Sequence, residues 1–308
     1  MKILSISRPG GDRGPAVGYA NHLKALSKEG FSIQELTQEI WDSEKLFKTF
    51  DIAWGYVRFH PEIINRCFSL GIALIGGPNA VLERADLGIT DSWERWYLEE
   101  SKTSINVNVA EYYSQHVKKF SKNNCKFRTL EYCYDLDVDD SLYSQKDIDV
   151  TVYIKDRAND SSVTKIAEEY CKLLDDRGLT YNIFTYGNYE RSSYVLSCCR
   201  TKVTAWFSIE DYCSLAQIES HRVGSTVIGT PFNLTIPTND SVICHNSQIM
   251  TNNWLQWNHK EEVAKDYLNA TLRCLSNIEM SLKTVEACKL RHSDKYYRTK
   301  VKSLLGEL

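Results

Sequence analysis

The sequence has no apolar run long enough for a membrane helix and no strong excess of charge of either sign. None of its apolar stretches approaches the ~20 residues that cross a bilayer, and the start, Met1–Ser7, is too short for the apolar core of a signal peptide. A net charge of −3 provides no positive field that would draw the chain to nucleic acid or anionic lipid. We therefore expect a soluble, cytoplasmic protein without a transmembrane segment, and nucleic acid is not an expected partner.

Several motifs that carry well-known chemistry are also missing. The chain has 10 cysteines but no CxxC pair, and the neighbours Cys198 and Cys199 stand in a predicted helix, so zinc and redox sites lack their usual spacing. We expect reduced, buried thiols. The glycine-rich segment Gly10–Gly14 contains neither GxGxxG nor GK[ST], which excludes a dinucleotide fingerprint and a Walker loop.

What is present is an alternation of short apolar runs with helical patterns. The 308 residues are enough for two domains, and such alternation predicts parallel sheets covered by helices on both faces. The predicted strands are 2–7, 31–36, 51–57, 72–75, 104–109 and 127–131, then 150–154, 181–185, 202–207 and 226–228. The tail, Lys260–Leu305, has only helical patterns and is predicted to form two or three helices.

An acidic, turn-forming stretch, Asp135–Ser141, separates the two alternating halves. The predicted fold class is therefore α/β, with two doubly wound, Rossmann-like domains that face a central cleft and a helical carboxyl-terminal tail. We place the domains at 1–140 and 141–290, and predict that a final helix in 291–308 packs back towards the first domain. Open parallel sheets bind ligands at the carboxyl ends of their strands, so the cleft is the expected site.

The most informative segment is Ser208–Pro231. It places acids at the end of a strand, small residues at a helix start, a further acid inside that helix, and then a glycine before the next strand. The amino end of a helix offers unpaired amides and a positive dipole to phosphate, while a carboxylate inside the helix can accept sugar hydroxyls. This pattern suits a nucleotide-sugar diphosphate.

The segment resembles the retaining GT-B glycosyltransferases, especially glycosyltransferase family 4, whose signature is two acids with seven residues between them, followed by a glycine and an apolar strand. Asp211 and Glu219 have this separation, although Glu210 could replace Asp211 with one extra residue between the acids. The resemblance implies that Asp211 faces the donor sugar, that Glu219 binds the nucleotide ribose, and that amides near Ser214 and Leu215 hold the diphosphate. As the alternative, Asp211 is a helix cap and Glu219 a solvated helix residue.

Other donor-side residues follow from the same resemblance. Lys155 and Arg157 end the first strand of the second domain, where retaining GT-B enzymes place cations that neutralise the leaving diphosphate. Their spacing leaves open which of the two reaches the phosphate. Tyr186 lies where this fold packs the nucleotide base, and Tyr212 is assigned to the donor as well.

In the first domain, Gly11 and Gly14 belong to a loop that resembles the one GT-B enzymes bring close to the donor phosphate. His60 follows the third strand and Asp91 comes after the fourth, together with Glu83 and Asp86. A polar group at these strand ends could orient or deprotonate the acceptor hydroxyl, so His60 and Asp91 are catalytic candidates.

Three alternatives stay open. Asp135-Leu136-Asp137 reads as the DxD metal motif of the GT-A fold, but it lies in the apparent linker, so we expect no metal and no cofactor beyond the nucleotide-sugar substrate. The chain could instead be a phage-type glycosyltransferase of DNA bases, or a non-catalytic nucleotide-sugar-binding subunit. The preferred hypothesis is a retaining, metal-independent glycosyltransferase that acts on a hydroxyl of a glycan, protein or small molecule.

Overall fold

The computed structural model describes residues 1–6, 14–55, 61–79, 105–108, 126–131, 133–134, 146–156, 161–208, 214–229 and 259–308. The strands in these ranges are β1 Lys2–Ile6, β2 Ser32–Glu35, β3 Ile52–Gly55, β4 Ala73–Asn79, β5 Ile105–Asn108, β6 Lys126–Thr129, β7 Ile148–Lys155, β8 Tyr181–Thr185, β9 Thr201–Ser208 and β10 Thr226–Ile228. The helices are α1 Gly14–Lys28, α2 Gln38–Asp42, α3 Glu44–Phe47, α4 Pro61–Leu70, α5 Ser161–Asp176, α6 Arg191–Arg200, α7 Leu215–Arg222, α8 Lys260–Leu275, α9 Ile278–His292 and α10 Asp294–Leu305.

The chain divides into two compact units, each built on one parallel sheet. Unit 1 comprises Met1–Asp135 and Arg291–Leu308, and unit 2 comprises Leu136–Leu290. The strand order is β2-β1-β3-β4-β5-β6 in the first sheet and β10-β9-β7-β8 in the second. In each sheet the order reverses next to the first strand, which defines a doubly wound fold. The predicted pair of Rossmann-like domains is therefore confirmed.

Unit 1 buries both faces of its sheet. Side chains alternate across β1, so Ile3 belongs to the core on one face and Leu4 to the core on the other. The carboxyl-terminal helix α10 completes the Ile3 face with four buried side chains. These are Tyr297, Val301, Leu304 and Leu305. Glu29, the residue after α1, also forms ion pairs with Arg298 and Lys302. These ion pairs join α10 to the end of α1.

Unit 2 shows the same alternation along its central strand, β7. Val150, Val152 and Ile154 pack against α5 and α8, whereas Tyr153 packs against α6 and α7. The tail that was predicted to hold two or three helices contains three, α8 to α10. In the part of the chain that the structure describes, no helix is long and apolar enough to cross a bilayer.

Two local features differ from the sequence-based expectation. The fourth strand, which is predicted to end at residue 75, continues as β4 to Asn79, because β5 pairs with Gly76 and Asn79, with a register irregularity between these two residues. Gly77 has a φ of 116°, a conformation that glycine adopts without strain. The short helices α2 and α3 were not predicted; Thr37 and Ser43 cap them by accepting hydrogen bonds from first-turn amides.

The cysteines behave as small apolar residues wherever the structure describes them. Seven of the described cysteines are buried and form no disulfide bond: Cys67, Cys133, Cys171, Cys198, Cys199, Cys274 and Cys288. Burial raises the pKa of the Cys198 thiol to about 11. The Cys198 thiol is therefore neutral at pH 7.

Candidate functional site

The strand order of unit 2 identifies the edge at which a ligand would bind. The chain runs from β7 to β8 on one side and then crosses back to β9 on the other side of β7, so the strand order reverses between β7 and β9. Lys155 ends β7 directly opposite Ser208, which ends β9. Ligands of doubly wound sheets bind outside the carboxyl ends of the strands at this reversal, which makes Lys155 and Ser208 the centre of the candidate site.

Lys155 reaches this point as a buried cation. It continues the β7 row that contains Thr151 and Tyr153, so its side chain lies on the face covered by α6 and α7. Only 5% of the residue is exposed. Its Nζ lies 4.7 Å from the ring centroid of Tyr186, the first residue after β8. This cation–π contact fixes the Lys155 ammonium at the strand ends.

Helix α7 begins beside the same edge with Ser214 as its N-cap. The Ser214 side chain makes no capping hydrogen bond, although its carbonyl accepts from the amides of Gln217 and Ile218, at 3.0 and 3.2 Å. The amides of Leu215 and Ala216 belong to the first turn, which has no acceptor inside the helix. An anion placed at this helix end would meet these amides and the positive end of the helix dipole.

Helix α7 is buried along nearly its whole length although five of its eight residues are polar or charged. Gln217, Ser220 and His221 are fully buried, and only 3% of Glu219 is exposed. The Ser220 hydroxyl is paired, since it lies 2.6 Å from the hydroxyl of Tyr194. A helix that faced the core only for stability would carry apolar side chains instead, because buried polar groups cost free energy unless they are paired.

Glu219 joins this helix to α6 through an ion pair. Arg191, the first residue of α6, donates from Nε to Oε1 of Glu219 at 2.6 Å. Burial raises the pKa of the Glu219 carboxyl, and the nearby Arg191 opposes this shift. The sequence-based alternative of a solvated Glu219 is therefore wrong.

An aromatic cluster lies beneath these charged groups. Tyr153 stacks on Trp206 with ring centroids 4.2 Å apart, and its hydroxyl is 2.8 Å from that of Tyr189. Burial, with the negative charge of Glu219 as a smaller cause, raises the pKa of Tyr153 far above its usual value; Tyr186 acts in the same direction. The Lys155–Tyr186 and Arg191–Glu219 pairs thus both lie within electrostatic reach of Tyr153.

The structure brings together part of the predicted site. Lys155 contacts Tyr186, while Ser214, Leu215 and Glu219 lie on the first two turns of α7. Gly14 is the first residue of α1, in unit 1. The other predicted site residues lie outside the described residues: Gly11, His60, Asp91, Arg157, Asp211 and Tyr212. Glu83, Asp86, Glu210 and the Asp135–Asp137 motif also lie outside them.

Sequence reasoning missed Arg191. The residue stands five positions after Tyr186, at the start of a helix that follows a strand and a turn. Lys155 and Ser214 were singled out for similar reasons, since Lys155 ends a strand and Ser214 starts a helix. That placement was the available signal. The partner could not be read from the sequence, because 28 residues separate Arg191 from Glu219.

Unit 1 contains a second buried polar cluster that the sequence did not suggest. His22 is 1% exposed; it stacks near Tyr19, and its Nδ1 is hydrogen-bonded to the Tyr297 hydroxyl. The Tyr19 hydroxyl lies 2.6 Å from Oγ of Ser5. Burial lowers the pKa of His22 to about 3, so the ring is neutral at pH 7. The bond to Tyr297 joins α1 to α10.

Among the described residues, no group of three or more His, Cys, Asp or Glu side chains could hold a metal ion. Lys155 places a cation at the described strand ends of unit 2. The arrangement can therefore neutralise an anionic group with Lys155 and the amides of α7, while Glu219 offers a buried acceptor for hydroxyl groups.

The two sheets and their helices define the class of the fold: two Rossmann-like domains in one chain, as in GT-B enzymes. No protein-family model matches the chain, and no curated protein matches its sequence. Solved structures do match its fold, at sequence identities that show the fold alone.

Three of these structures illustrate the likeness. The Anabaena protein HepE in complex with UDP-glucose has a TM-score of 0.61 over 100% of both chains, at 7% identity. An α,α-trehalose-phosphate synthase (UDP-forming) from Burkholderia vietnamiensis has a TM-score of 0.59 over 99% of each chain, at 8% identity. An α-glucosyltransferase in complex with UDP and a mismatched 13-mer DNA has a TM-score of 0.51 over 99% of each chain, at 9% identity.

Proposed function

We propose that this protein is a glycosyltransferase that moves a sugar from a nucleotide-sugar donor to an acceptor hydroxyl. The observation that carries the proposal is the buried carboxylate of Glu219 one turn inside α7, a helix that begins beside the strand reversal where Lys155 ends β7. A site of this kind offers a cation and free amides to a diphosphate and a carboxylate to a ribose. The structures with the same fold include complexes with UDP and UDP-glucose.

In this proposal unit 2 binds the diphosphate, the ribose, the base and the sugar of the donor. The amides of Leu215 and Ala216, with the ammonium of Lys155, hold the diphosphate. Glu219 accepts hydrogen bonds from the ribose hydroxyls, and Tyr186 lines the pocket for the base. Asp211 faces the donor sugar and Arg157 assists Lys155, as the resemblance to family 4 implies. Tyr212 belongs to the same donor set.

The transfer step makes one bond and breaks one. The acceptor oxygen bonds to the anomeric carbon as the bond between that carbon and the β-phosphate oxygen breaks, and the acceptor proton passes to the departing phosphate. Negative charge therefore grows on the diphosphate in the transition state. A fixed cation such as Lys155 stabilises that state more than the bound donor, which accelerates the reaction.

The finer parts of the proposal come from the family resemblance. Retention of anomeric configuration follows from attack on the face from which the diphosphate leaves. The cationic role of Lys155 replaces that of a divalent metal, so transfer is proposed to be metal-independent. Gly11, Gly14, His60 and Asp91 of unit 1 are proposed to serve the donor phosphate and the acceptor hydroxyl. The proposed cellular location is the cytoplasm.

The test is a screen of nucleotide sugars for thermal stabilisation and for slow hydrolysis, with Mg²⁺ or with a chelator. We expect one or a few donors to raise the melting temperature and to release nucleoside diphosphate equally well in both conditions. Activity that disappears with the chelator would contradict metal independence. A protein that no nucleotide sugar stabilises would contradict the proposed function itself.

Two controls sharpen this screen. Glu219→Gln removes the buried carboxylate and should abolish most of the stabilisation, whereas Glu168→Gln, an exposed residue of α5, should leave it unchanged. Stabilisation without hydrolysis or transfer to any acceptor would indicate a nucleotide-sugar-binding subunit. Duplex DNA is included among the acceptors because one structure of the same fold contains DNA, although the net charge of −3 does not favour it.

A further inference from the structure

The ion pair between Arg191 and Glu219 joins an exposed side chain to a buried one. The Arg191 side chain is 48% exposed, whereas that of Glu219 is only 3% exposed. The hydrogen bond joins Nε of the guanidinium to one carboxylate oxygen, Oε1. The ion pair thus restricts the orientation of the carboxylate on α7 from outside the helix.

Most of the groups that face Glu219 are neutral around pH 7. Tyr153 faces it from β7, Tyr189 from the turn after β8, and Tyr194 and Cys198 from α6. Burial raises the pKa of each of these phenols and of the thiol, so none of them carries charge between about pH 4 and pH 8. Arg191 is charged throughout this range.

We infer that Arg191 is a positioning residue of the donor site: its guanidinium holds the Glu219 carboxylate as the charged acceptor that distinguishes a ribose from a 2′-deoxyribose. The inference rests on the proposed function, since it assigns Glu219 to the nucleotide sugar ring. It adds a residue that the family signature does not include and a substrate preference that follows from it.

The capacity of Glu219 to accept hydrogen bonds depends on whether its carboxyl group is charged. A charged carboxylate accepts strong hydrogen bonds from two neighbouring hydroxyls, and a ligand without the 2′-hydroxyl leaves part of that capacity unused in a buried site. Without Arg191 the buried Glu219 would lose its ion-pair partner, and burial would then favour the neutral form of its carboxyl group. A protonated carboxyl has less acceptor capacity, so the preference for ribose should fall.

The experiment measures binding of UDP, GDP, ADP and CDP and of their 2′-deoxy forms by calorimetry between about pH 5.5 and pH 8.5. The base with the tightest ribonucleotide is carried into the variants. For the wild type we expect the ribo form to bind about ten- to a hundred-fold more tightly than the deoxy form. For Arg191→Met we expect this ratio to fall towards one near neutral pH and to recover partly at the highest pH.

The control variants separate positioning from general stabilisation. Arg191→Lys keeps the charge and should retain a ribose preference. Arg200→Met removes an arginine at the other end of α6, also half-exposed and paired with a carboxylate, Asp147, and should change neither affinity. If Arg191→Met is poorly folded, the reduced ratio must still appear in a milder variant, Arg191→Gln.

The possible failures can be told apart. If the wild type binds neither form of any of the four nucleotides, the proposed function fails, and this inference fails with it. If the wild type binds and Arg191→Met weakens the ribo and deoxy forms equally, Arg191 has a structural role and the inference alone is overturned. An unchanged ribo-to-deoxy ratio in Arg191→Met also overturns it.

Discussion

The buried histidine of unit 1 makes that unit sensitive to acid. The pKa of His22 is about 3 in the folded chain and 6.5 in an unfolded one. Between these values the unfolded state binds a proton that the folded state does not, so the stability of unit 1 rises with pH across this window and is lost as the pH falls. Above about pH 6.5 His22 is neutral in both the folded and the unfolded chain, so it no longer makes the stability of unit 1 depend on pH.

The magnitude follows from the difference between the two pKa values. Between about pH 7.5 and about pH 5, protonation of His22 in the unfolded state lowers the free energy of unfolding of unit 1 by about 2 kcal/mol. The loss approaches its limit of about 5 kcal/mol as the pH falls below about 3. His22→Gln keeps a polar group next to the Tyr297 hydroxyl but cannot titrate. Between about pH 7.5 and about pH 5, the free energy of unfolding of unit 1 should therefore fall by about 2 kcal/mol less in His22→Gln than in the wild type. This difference does not depend on the stability of the variant at pH 7.5.

The assay must report on unit 1 by itself, because a chain of two units does not unfold in one transition. Hydrogen exchange at the amides of β1 and β3, corrected for the intrinsic rate at each pH, gives the free energy of opening of that sheet. His259→Gln is the matched control, since its side chain is 59% exposed and should leave the slope unchanged. The reasoning would be refuted if His22→Gln showed the same loss of stability as the wild type.

The remaining predictions concern the carboxyl-terminal helix α10 and the proposed donor site of unit 2. Leu304→Ala should destabilise unit 1 by about 2–4 kcal/mol because Leu304 is 4% exposed, whereas Leu308→Ala, at 46% exposure, should cost less than about 0.5 kcal/mol; hydrogen exchange at the amides of β1 and β3 measures both. Lys155→Met should slow sugar transfer by about 10²- to 10³-fold in a steady-state assay, and a rate within a few-fold of the wild type would contradict its role. Tyr186→Phe should retain the cation–π contact and most of the rate, while Tyr186→Leu should lose part of it.

The sequence was sufficient to predict the elements of the fold because their signals are local. The apolar runs that became β1, β3, β7 and β9 are bounded by turn residues, and α5 and α8 have clear helical periodicity. Gly76–Asn79 failed as a prediction because glycine and proline usually end strands, and only the pairing with β5 keeps these residues in the sheet. That pairing is not visible in a local pattern.

The candidate site was predictable where its residues follow a strand or start a helix. Lys155, Tyr186 and Ser214 are of this kind, since the carboxyl ends of parallel strands meet at one edge. The contacts of Glu219 with Arg191, and of His22 with Tyr297, join residues 28 and 275 positions apart. Such partners depend on how helices pack on a sheet, which the spacing of residue types does not determine.

The most direct test of the donor site is hydrogen exchange of the whole chain with and without a saturating nucleoside diphosphate. The account predicts slower exchange at the amides from Ser214 to Glu219 and from Tyr186 to Arg191, and the same ligand should not protect these segments in Glu219→Gln. Binding that protects only segments of unit 1, or that leaves the first turn of α7 unchanged, would contradict the account.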